Sequence, residues 1–210
     1  VIGLADTLAG RGNDAARVVL RENSPVAVIR GTTVSTPHGS VSAGLVLVAV
    51  DGLLGRILPE LAALVRPVRL QMLATGPVAP GLLPYPIHLR WGFDYAQQDP
   101  GGRIFFGGGR DRTPDTEFTP DTEPSAIVQE WIEGQAAGLV GRPVRVTHRW
   151  AATAGYTGDG LPVLARPRTG VVACGGYCGT GNIVGVLAAK AALRWGLDGT
   201  PPPVWFTSAS

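Results

Sequence analysis

Cysteine, methionine and histidine are scarce in this 210-residue sequence, which contains two, one and three of them. The two cysteines, Cys174 and Cys178, lie within one short segment, so a disulfide framework is not indicated. Two thiols without a histidine cluster cannot complete a zinc site, and we therefore expect no metal. Without a disulfide framework, a reducing, cytoplasmic location is the expectation.

Charge and long apolar runs are also limited. Charged residues make up 16% of the chain and the formal net charge is +2, which argues against nucleic-acid binding as the main function. No apolar run of membrane-spanning length is free of glycine and charge, so we expect neither a membrane span nor a signal peptide. The 45% hydrophobic content is sufficient for a sizeable core in one large or two small domains.

Glycine is abundant, and its densest cluster lies near the carboxyl end. The apolar segment Val171 to Cys174 predicts a buried strand. Four glycines follow closely: Gly175, Gly176, Gly179 and Gly181. A helix then begins near Ile183, with Thr180 or Asn182 as its N-cap, and its apolar residues on nearly every face predict deep burial. Its positive end points back at the loop, a geometry that suits an anion or an electron-rich ring.

The spacing of these glycines has two interpretations. Gly179, Gly181 and Gly185 form GxGxxxG, which is close to the dinucleotide-binding fingerprint. The remaining chain is too short for a second strand–helix pair, so an ordinary Rossmann start is excluded. A tight strand-to-helix turn without a ligand explains the pattern equally well. In either case we expect Gly179 and Gly181 to need positive φ or close backbone approach.

The first third of the chain predicts short strands and a broken helix. Val18 to Leu20 and Val26 to Ile29 are strand candidates, and Pro37-His38-Gly39 marks a hairpin turn. The apolar run Leu45 to Val50 is typical of a strand in a parallel sheet. Leu53 to Val65 has helical spacing that Pro59 should interrupt.

The character of the sequence changes at Arg66. Four predicted strands separated by glycine and proline turns indicate an antiparallel sheet: Val68–Thr75, Ile87–Trp91, Tyr95–Gln98 and Arg103–Gly107. A polar loop over 111–124, an amphipathic helix over 125–139 and a strand over 144–150 follow. The predicted fold class is α/β, in the sense of a mixed α+β fold with both kinds of sheet.

Four stretches, in this order, resemble the FAD-dependent, D-amino-acid-oxidase-like family of amine and amino-acid oxidoreductases. They are Ser24–Val26, Leu45–Asp51 with Arg66–Thr75, His148–Trp150 with Thr157–Leu164, and Gly175–Asn182. The sequence GGYCGTGN in the last is most similar to gamma-glutamylputrescine-oxidase-like members. The resemblance implies part of a Rossmann-like FAD-binding domain over 1–65 and 149–210, and an antiparallel-sheet substrate domain over 66–148.

The resemblance also implies site residues, although it identifies no catalytic one. The residues implied in FAD binding are Val26, Ala49, Gly176, Tyr177, Cys178, Gly179, Thr180, Gly181 and Asn182. Those implied to line the substrate side are Trp150, Tyr177 and Tyr95. Each of these aromatic residues fits a core position as well, and Tyr95 fits it better. Among the histidines, His38 fits a solvated turn and His88 a structural position, while His148 could line a site.

Three departures from the family pattern carry expectations. The amino-terminal GxGxxG is absent and the sequence begins at Val1, so we expect a carboxy-terminal fragment that binds FAD weakly without the missing segment and is inactive alone. Ala154 and Ile183 stand where relatives place a cation for a substrate carboxylate, which leaves Arg90 or Arg103 as clamp candidates. No cysteine is close in sequence to Thr157–Asp159, so a covalent flavin link is not expected.

The family implies oxidation of a small-molecule amine. A primary or secondary amine would give a hydride to flavin N5, and the resulting imine would be hydrolysed, with the cofactor carrying the chemistry. One alternative is a sarcosine- or dimethylglycine-type N-methyl amino-acid oxidase or dehydrogenase. An alternative of another class is a non-catalytic fragment or interaction subunit that retains the fold.

Overall fold

The computed structural model describes residues 18–204 and 206–209. The strands are β1 (Val28–Arg30), β2 (Thr33–Thr36), β3 (Gly39–Ser42), β4 (Val46–Val48), β5 (Arg66–Thr75), β6 (Ile87–Leu89), β7 (Asp94–Gln98), β8 (Ile104–Gly107), β9 (Val146–Tyr156), β10 (Val163–Arg168), β11 (Val171–Gly175) and β12 (Thr207–Ala209). The α-helices are α1 (Leu54–Ile57), α2 (Pro114–Glu117), α3 (Ala126–Val140) and α4 (Gly181–Asp198). Short 3-10 turns cover Asp51–Leu53, Pro59–Leu61 and Arg90–Gly92.

These strands form three sheets. A three-stranded antiparallel sheet has the order β1-β2-β3. A four-stranded mixed sheet has the order β12-β10-β11-β4, in which β4 and β12 each run parallel to their neighbours. A five-stranded antiparallel sheet has the order β6-β7-β8-β5-β9. The predicted hairpin and the predicted antiparallel sheet are both confirmed.

The mixed sheet is covered on both sides, which is why β11 is wholly apolar or small. Val171 and Ala173 point into a cluster with Leu54 and Leu58 on one side. The intervening residues of β11 point into a second cluster that contains Ala188 of α4. The run from Leu45 to Val50 was predicted to be a parallel strand, and β4 does pair in parallel with β11. The predicted break at Pro59 also occurs, since α1 ends at Ile57.

Helix α3 covers one face of the antiparallel sheet. Helix α3 packs its Val128 and Ile132 against Leu73 and Phe106 of that face. The opposite face is partly exposed. Strand β9 extends well past the predicted end at Trp150, because it pairs with β5 as far as Tyr156. The domain boundary expected between residues 148 and 149 falls within this strand, and the division into domains remains a prediction.

Helix α4 differs most from expectation, because it is not deeply buried. Within the described residues only Ala188 and Ala192 of the helix are buried, and they contact β11. Ile183 and Leu197 are 74% and 68% exposed. Apolar residues on every face lead to burial only where neighbours surround the helix, and here the described chain supplies neighbours on one face.

Two smaller expectations also fail. The strand expected over Ile87–Trp91 ends at Leu89, because Arg90 and Trp91 have φ of 47° and 61°, which an extended strand cannot accommodate. Residues 18–20 form no strand, since nothing pairs with them in the described part of the chain. Among the helices of residues 18–204 and 206–209, none is both long and apolar enough to traverse a bilayer.

A buried ion pair fixes the segment between β8 and α3 to the antiparallel sheet. Glu117 is buried and accepts hydrogen bonds from Arg69 at 2.8 and 3.0 Å and from Gln71 at 2.9 Å. Burial alone would raise the pKa of the Glu117 carboxyl, but the bonds from Arg69 and Gln71 outweigh it and lower that pKa below its usual value. The charged carboxylate is therefore the form that the fold stabilises.

We predict that Glu117→Ala lowers the free energy of unfolding by about 3 kcal/mol near neutral pH, because Arg69 stays buried without its main partner. Because the pKa of Glu117 is lower in the folded state than in the unfolded state, its contribution to stability is fully present at pH values above the unfolded-state pKa. That contribution is lost as the pH falls through the folded-state pKa. Urea unfolding of both proteins over a pH series should show the difference shrinking in acid. Arg103→Ala, which breaks the exposed pair with Asp99, should cost only about 0.5 kcal/mol. A Glu117 effect that is independent of pH would contradict the assignment.

Candidate functional site

The glycine loop lies at the carboxyl ends of two adjacent parallel strands. Strand β11 ends at Gly175 and leads into the loop, while β4 ends at Val48 and is followed by the exposed Ala49. Crevices outside the carboxyl ends of parallel strands are where open α/β sheets bind ligands. Two of the predicted cofactor-binding segments therefore meet at the same edge of the mixed sheet.

The loop itself is built from left-handed backbone. Gly176 and Gly179 have φ of 69° and 87°, and Cys178 between them has φ of 50°. A Cβ on Gly176 would lie 2.7 Å from Cγ2 of Thr157, so this position also lacks space for a side chain. The expectation of positive φ is met at Gly179 but not at Gly181. A Cβ on Gly181 would instead lie 3.3 Å from Cδ2 of Tyr177.

The start of α4 presents backbone donors next to this loop. Among the described residues, the N–H groups of Gly179, Gly181 and Asn182 have no hydrogen-bond partner. The N–H of Thr180 is occupied by the carbonyl of Tyr177, at 2.9 Å. Thr180 is at the N-cap position as predicted, but its hydroxyl donates to the Tyr177 carbonyl and does not cap the helix. The positive end of an 18-residue helix is thus left open toward the loop.

One carboxylate holds the loop in place, and sequence reasoning missed it. Oδ1 of Asp51 accepts the N–H groups of Gly176 at 2.8 Å and Tyr177 at 3.2 Å. Its Oδ2 accepts the N–H of Gly155, in β9, at 2.8 Å. Asp51 has φ of 45°, which aspartate tolerates better than most residues. The available sequence signal was Asp51-Gly52 directly after the apolar run Leu45 to Val50, and it predicted only the end of the strand.

The end of β9 contacts the loop at a second point. The N–H of Cys178 donates to the carbonyl of Gly155 at 2.8 Å, and its Sγ lies 3.4 Å from Oγ1 of Thr157. The sequence placed no cysteine near Thr157–Asp159, but the fold brings Cys178 into contact with Thr157. Whether a flavin would be covalently linked stays a prediction. The Cys178 side chain itself is half-buried.

A row of side chains crosses the open face of the antiparallel sheet. Directly paired residues share a face, and the row runs through His88, Tyr95, Gly107, Met72 and Trp150. A Cβ at Gly107 would lie 2.8 Å from Cγ of Met72 and in contact with the Tyr95 ring, so glycine leaves room for both side chains. Burial raises the pKa of Tyr95 to about 12. The structure thus brings the predicted pair Tyr95 and Trp150 onto one face.

Tyr156 connects this face to the loop. It ends β9, and its Oη lies 3.5 Å from where a Cβ on Gly179 would be. Burial raises the pKa of the Tyr156 phenol, and the neighbouring Arg110 opposes that effect. Tyr156 was not among the predicted site residues, because the sequence around it does not indicate which distant residues it contacts.

The other predicted site residues lie elsewhere. The Tyr177 ring packs against the first turns of α4 and into the core beside Val172, away from Trp150 and Tyr95. Val26 lines an open groove of about 840 Å³ in the three-stranded sheet region. His148 is exposed, with Nδ1 3.1 Å from the Thr147 hydroxyl, and His88 lies beside Tyr95. Tyr177 and Val26 therefore lie outside the row of side chains that contains Tyr95 and Trp150, called the aromatic row below.

Both arginines proposed as substrate clamps already bind carboxylates of the chain. Arg90 binds Asp94 and Asp111 through paired contacts of 2.6 to 2.9 Å. These contacts raise the pKa of the Arg90 guanidinium. Arg103 binds Asp99 at 3.0 Å. Each guanidinium is therefore already neutralised by carboxylates of the chain.

Comparison with known proteins gives consistent results. Residues 3–195 match the family described as FAD dependent oxidoreductase. A curated relative, the probable oxidoreductase OrdL of Rhizobium meliloti (strain 1021), is 29% identical over 205 residues, which cover 92% of this chain and 46% of that protein. The chain spans about half the length of this relative.

Solved structures of similar fold include glycine oxidase from Geobacillus kaustophilus, with a TM-score of 0.70 at 21% identity over 89% of this chain and 51% of that one. L-proline dehydrogenase from P. horikoshii has a TM-score of 0.69 at 18% sequence identity, over 87% of this chain and 52% of that one. Iminodiacetate oxidase from Chelativorans sp. BNC1 has a TM-score of 0.68 at 17% sequence identity, over 89% of this chain and 53% of that one. At these identities the likeness concerns the fold, and the predicted fold class is confirmed.

We predict that, in the full-length protein, Asp51→Ala reduces the flavin content at least several-fold and lowers the free energy of unfolding by about 2–4 kcal/mol, because three N–H groups lose their acceptor. Asp51→Asn keeps the shape and one acceptor oxygen, so it should be intermediate. Flavin-to-protein absorbance ratios and thermal unfolding measure the two effects. Full flavin content in Asp51→Ala would mean that the loop does not depend on this carboxylate.

We also predict that Gly179→Ala lowers flavin content, because a residue with a Cβ pays about 1 kcal/mol or more at φ of 87°. Gly158→Ala is the matched control, since Gly158 lies in the adjoining turn without positive φ and with open space at its Cβ position. Equal flavin content in the two variants would show that the Gly179 conformation is irrelevant to cofactor binding.

Proposed function

The chain belongs to the family of FAD-dependent oxidoreductases, and we propose that it forms the flavin-ring and substrate side of an enzyme that oxidises a primary or secondary amine. FAD is the cofactor of this family. The observation that supports the proposal best is the meeting of two features at Tyr156. These are the open positive end of α4 with its glycine loop, and the aromatic face of the antiparallel sheet.

The loop fits a flavin ring system in its shape and its donors. Gly179 is exposed and presents bare backbone, which allows the close approach of a flat ring, while the buried Gly176 lets the chain turn into the loop. The N–H groups of Gly179, Gly181 and Asn182 are the donors that would meet its electronegative edge. FAD supplies a hydride acceptor at N5, and the positive helix end would stabilise negative charge that develops on it.

The substrate side orients an amine more than it activates one. Trp150, Tyr95 and Met72 provide a flat, largely apolar face against which an alkyl chain can pack. The phenols of Tyr95 and Tyr156 are protonated at neutral pH, as phenols ordinarily are, so they can serve as hydrogen-bond partners for the amine nitrogen. The neutral amine loses hydride from its α-carbon, and water then hydrolyses the imine product.

Two positions make a carboxylate at the reacting carbon unfavourable. Ala154 lies in β9 opposite Val68, and Ile183 is exposed in the first turn of α4. Neither side chain can pair with an anion, and an unpaired carboxylate in a dry site costs several kcal/mol. The favoured substrate is therefore an amine without a carboxylate on that carbon.

Oxidation of an N-methyl amino acid, as in sarcosine or dimethylglycine enzymes, is the second candidate. It is favoured by the structural neighbours, since glycine oxidase, L-proline dehydrogenase and iminodiacetate oxidase are named for amino-acid substrates. The two candidates differ in whether the carbon that loses hydride carries a carboxylate. A direct comparison of substrates separates them.

We predict that simple alkylamines and polyamine derivatives reduce the bound flavin faster than glycine, sarcosine or D-alanine by at least about tenfold, since 1.4 kcal/mol of lost pairing is already tenfold. Anaerobic stopped-flow reduction measures this without dependence on the electron acceptor. Faster reduction by sarcosine or D-alanine than by every simple amine would favour the second candidate. Full-length protein that is purified without visible flavin absorbance would favour a non-catalytic role.

A further inference from the structure

Arg110 is a cation held between two aromatic rings beside the candidate site. It follows β8 after the glycine run Gly107–Gly109 and is half-buried. Its Cζ lies 4.4 Å from the centroid of the Phe93 ring and 4.9 Å from that of the Tyr156 ring. Cation–π contacts with the two rings hold the guanidinium in place, and the Tyr156 phenol is also a hydrogen-bond partner of Arg110. A guanidinium has five N–H donors, so donors remain for a further ligand.

The aspartates beside Arg110, Asp94 and Asp111, are engaged by other groups. Asp94 is bound to Arg90 and also accepts the N–H of Gly109 at 2.9 Å. Asp111 is bound to Arg90 at 2.7 Å and to Arg112 at 3.3 Å. Within residues 18–204 and 206–209, Arg110 forms no salt bridge. It is therefore a guanidinium without a carboxylate, next to arginines that have one.

The position of Arg110 relates it to the glycine loop. The Tyr156 ring separates the two, because it carries Arg110 on its face while its hydroxyl lies 3.5 Å from the Cβ position of Gly179. Arg110 is thus one aromatic ring away from the backbone donors of the loop. An anion bound by Arg110 would therefore not occupy the same place as a ligand bound to the backbone N–H groups of the glycine loop.

We propose that Arg110 binds a carboxylate that the amine substrate carries away from its reacting carbon. This inference rests on the proposed function, and it narrows the substrate class to amines with a remote anionic group. A guanidinium edge and a carboxylate match in geometry and form two parallel hydrogen bonds. The lack of a cation at Ala154 and Ile183 disfavours a carboxylate on the reacting carbon, whereas Arg110 supplies a cation farther out.

The test uses the flavin-loaded protein and matched substrates. Straight-chain amines of three to six carbons are each paired with the ω-amino acid of the same length, such as butylamine with 4-aminobutanoate. The wild type should be reduced faster by the carboxylated member at one or more lengths. Arg110→Gln should lose about 10- to 100-fold on that member, as expected for a charge-assisted hydrogen bond. It should stay within about twofold on the plain amine.

Arg112→Gln is the matched control, because Arg112 stacks on Trp131 at 3.8 Å and pairs with Asp111. It should leave both members of each pair unchanged. Arg110→Lys keeps the charge but loses the planar donors, so its loss should be smaller than that of Arg110→Gln. Flavin content and thermal unfolding establish that each variant is folded. An equal loss on both members of the pairs, or no preference in the wild type at any length, overturns the proposal.

A binding measurement separates this proposal from the proposed function. Butanoate, pentanoate and hexanoate are titrated by calorimetry against the wild type and Arg110→Gln, with the corresponding amides as uncharged probes. Tighter binding of a carboxylate by the wild type alone supports the anion site, even if no amine reduces the flavin and the proposed function fails. Equal carboxylate binding by both proteins overturns the site, whatever the amines do.

Discussion

The carboxylate of Asp51 is the interaction on which the geometry of the site depends. Its two oxygens accept three backbone N–H groups, from the end of β9 and from the start of the glycine loop. Because Asp51 itself follows β4, one side chain joins the mixed sheet, the antiparallel sheet and the loop. The direction of α4 and the exposure of its first N–H groups follow from the path that this carboxylate imposes on the loop.

A second organising feature is the way charge is distributed around the site. Arg90, Arg103 and Arg112 are each neutralised by a neighbouring aspartate, so they stabilise local structure and contribute little field at the open face. Arg110 differs, since aromatic rings and not carboxylates hold it. Arg66, which pairs with Tyr156 across β5 and β9, also has no salt bridge among the described residues and stacks on Phe118. The cations next to Tyr156 are thus Arg110 and the exposed Arg66, and the positive end of α4 lies near the Tyr156 hydroxyl.

The sequence predicted those features of the fold that depend on interactions between residues close together in the chain. The apolar run before Asp51, the hairpin around Gly39 and the break at Pro59 were all found, because periodicity and backbone restriction act over a few residues. The contacts of Asp51 with Gly155 and Gly176 join residues 104 and 125 positions apart, and no window of sequence contains them. The exposure of α4 was missed for the same reason, because composition describes a helix and not its neighbours. The positions of Tyr177 and Arg110 likewise depend on where distant segments of the chain cross.

The length of β9 has a mechanical consequence. Ten of its residues pair with β5, and its last residues are bonded to both Asp51 and Cys178. No flexible linker therefore separates the aromatic row from the glycine loop, and the two should move as one rigid body. Thermal motion will change the distance between Trp150 and Gly179 very little. Any opening that admits a substrate or releases a product has to come from segments outside this strand.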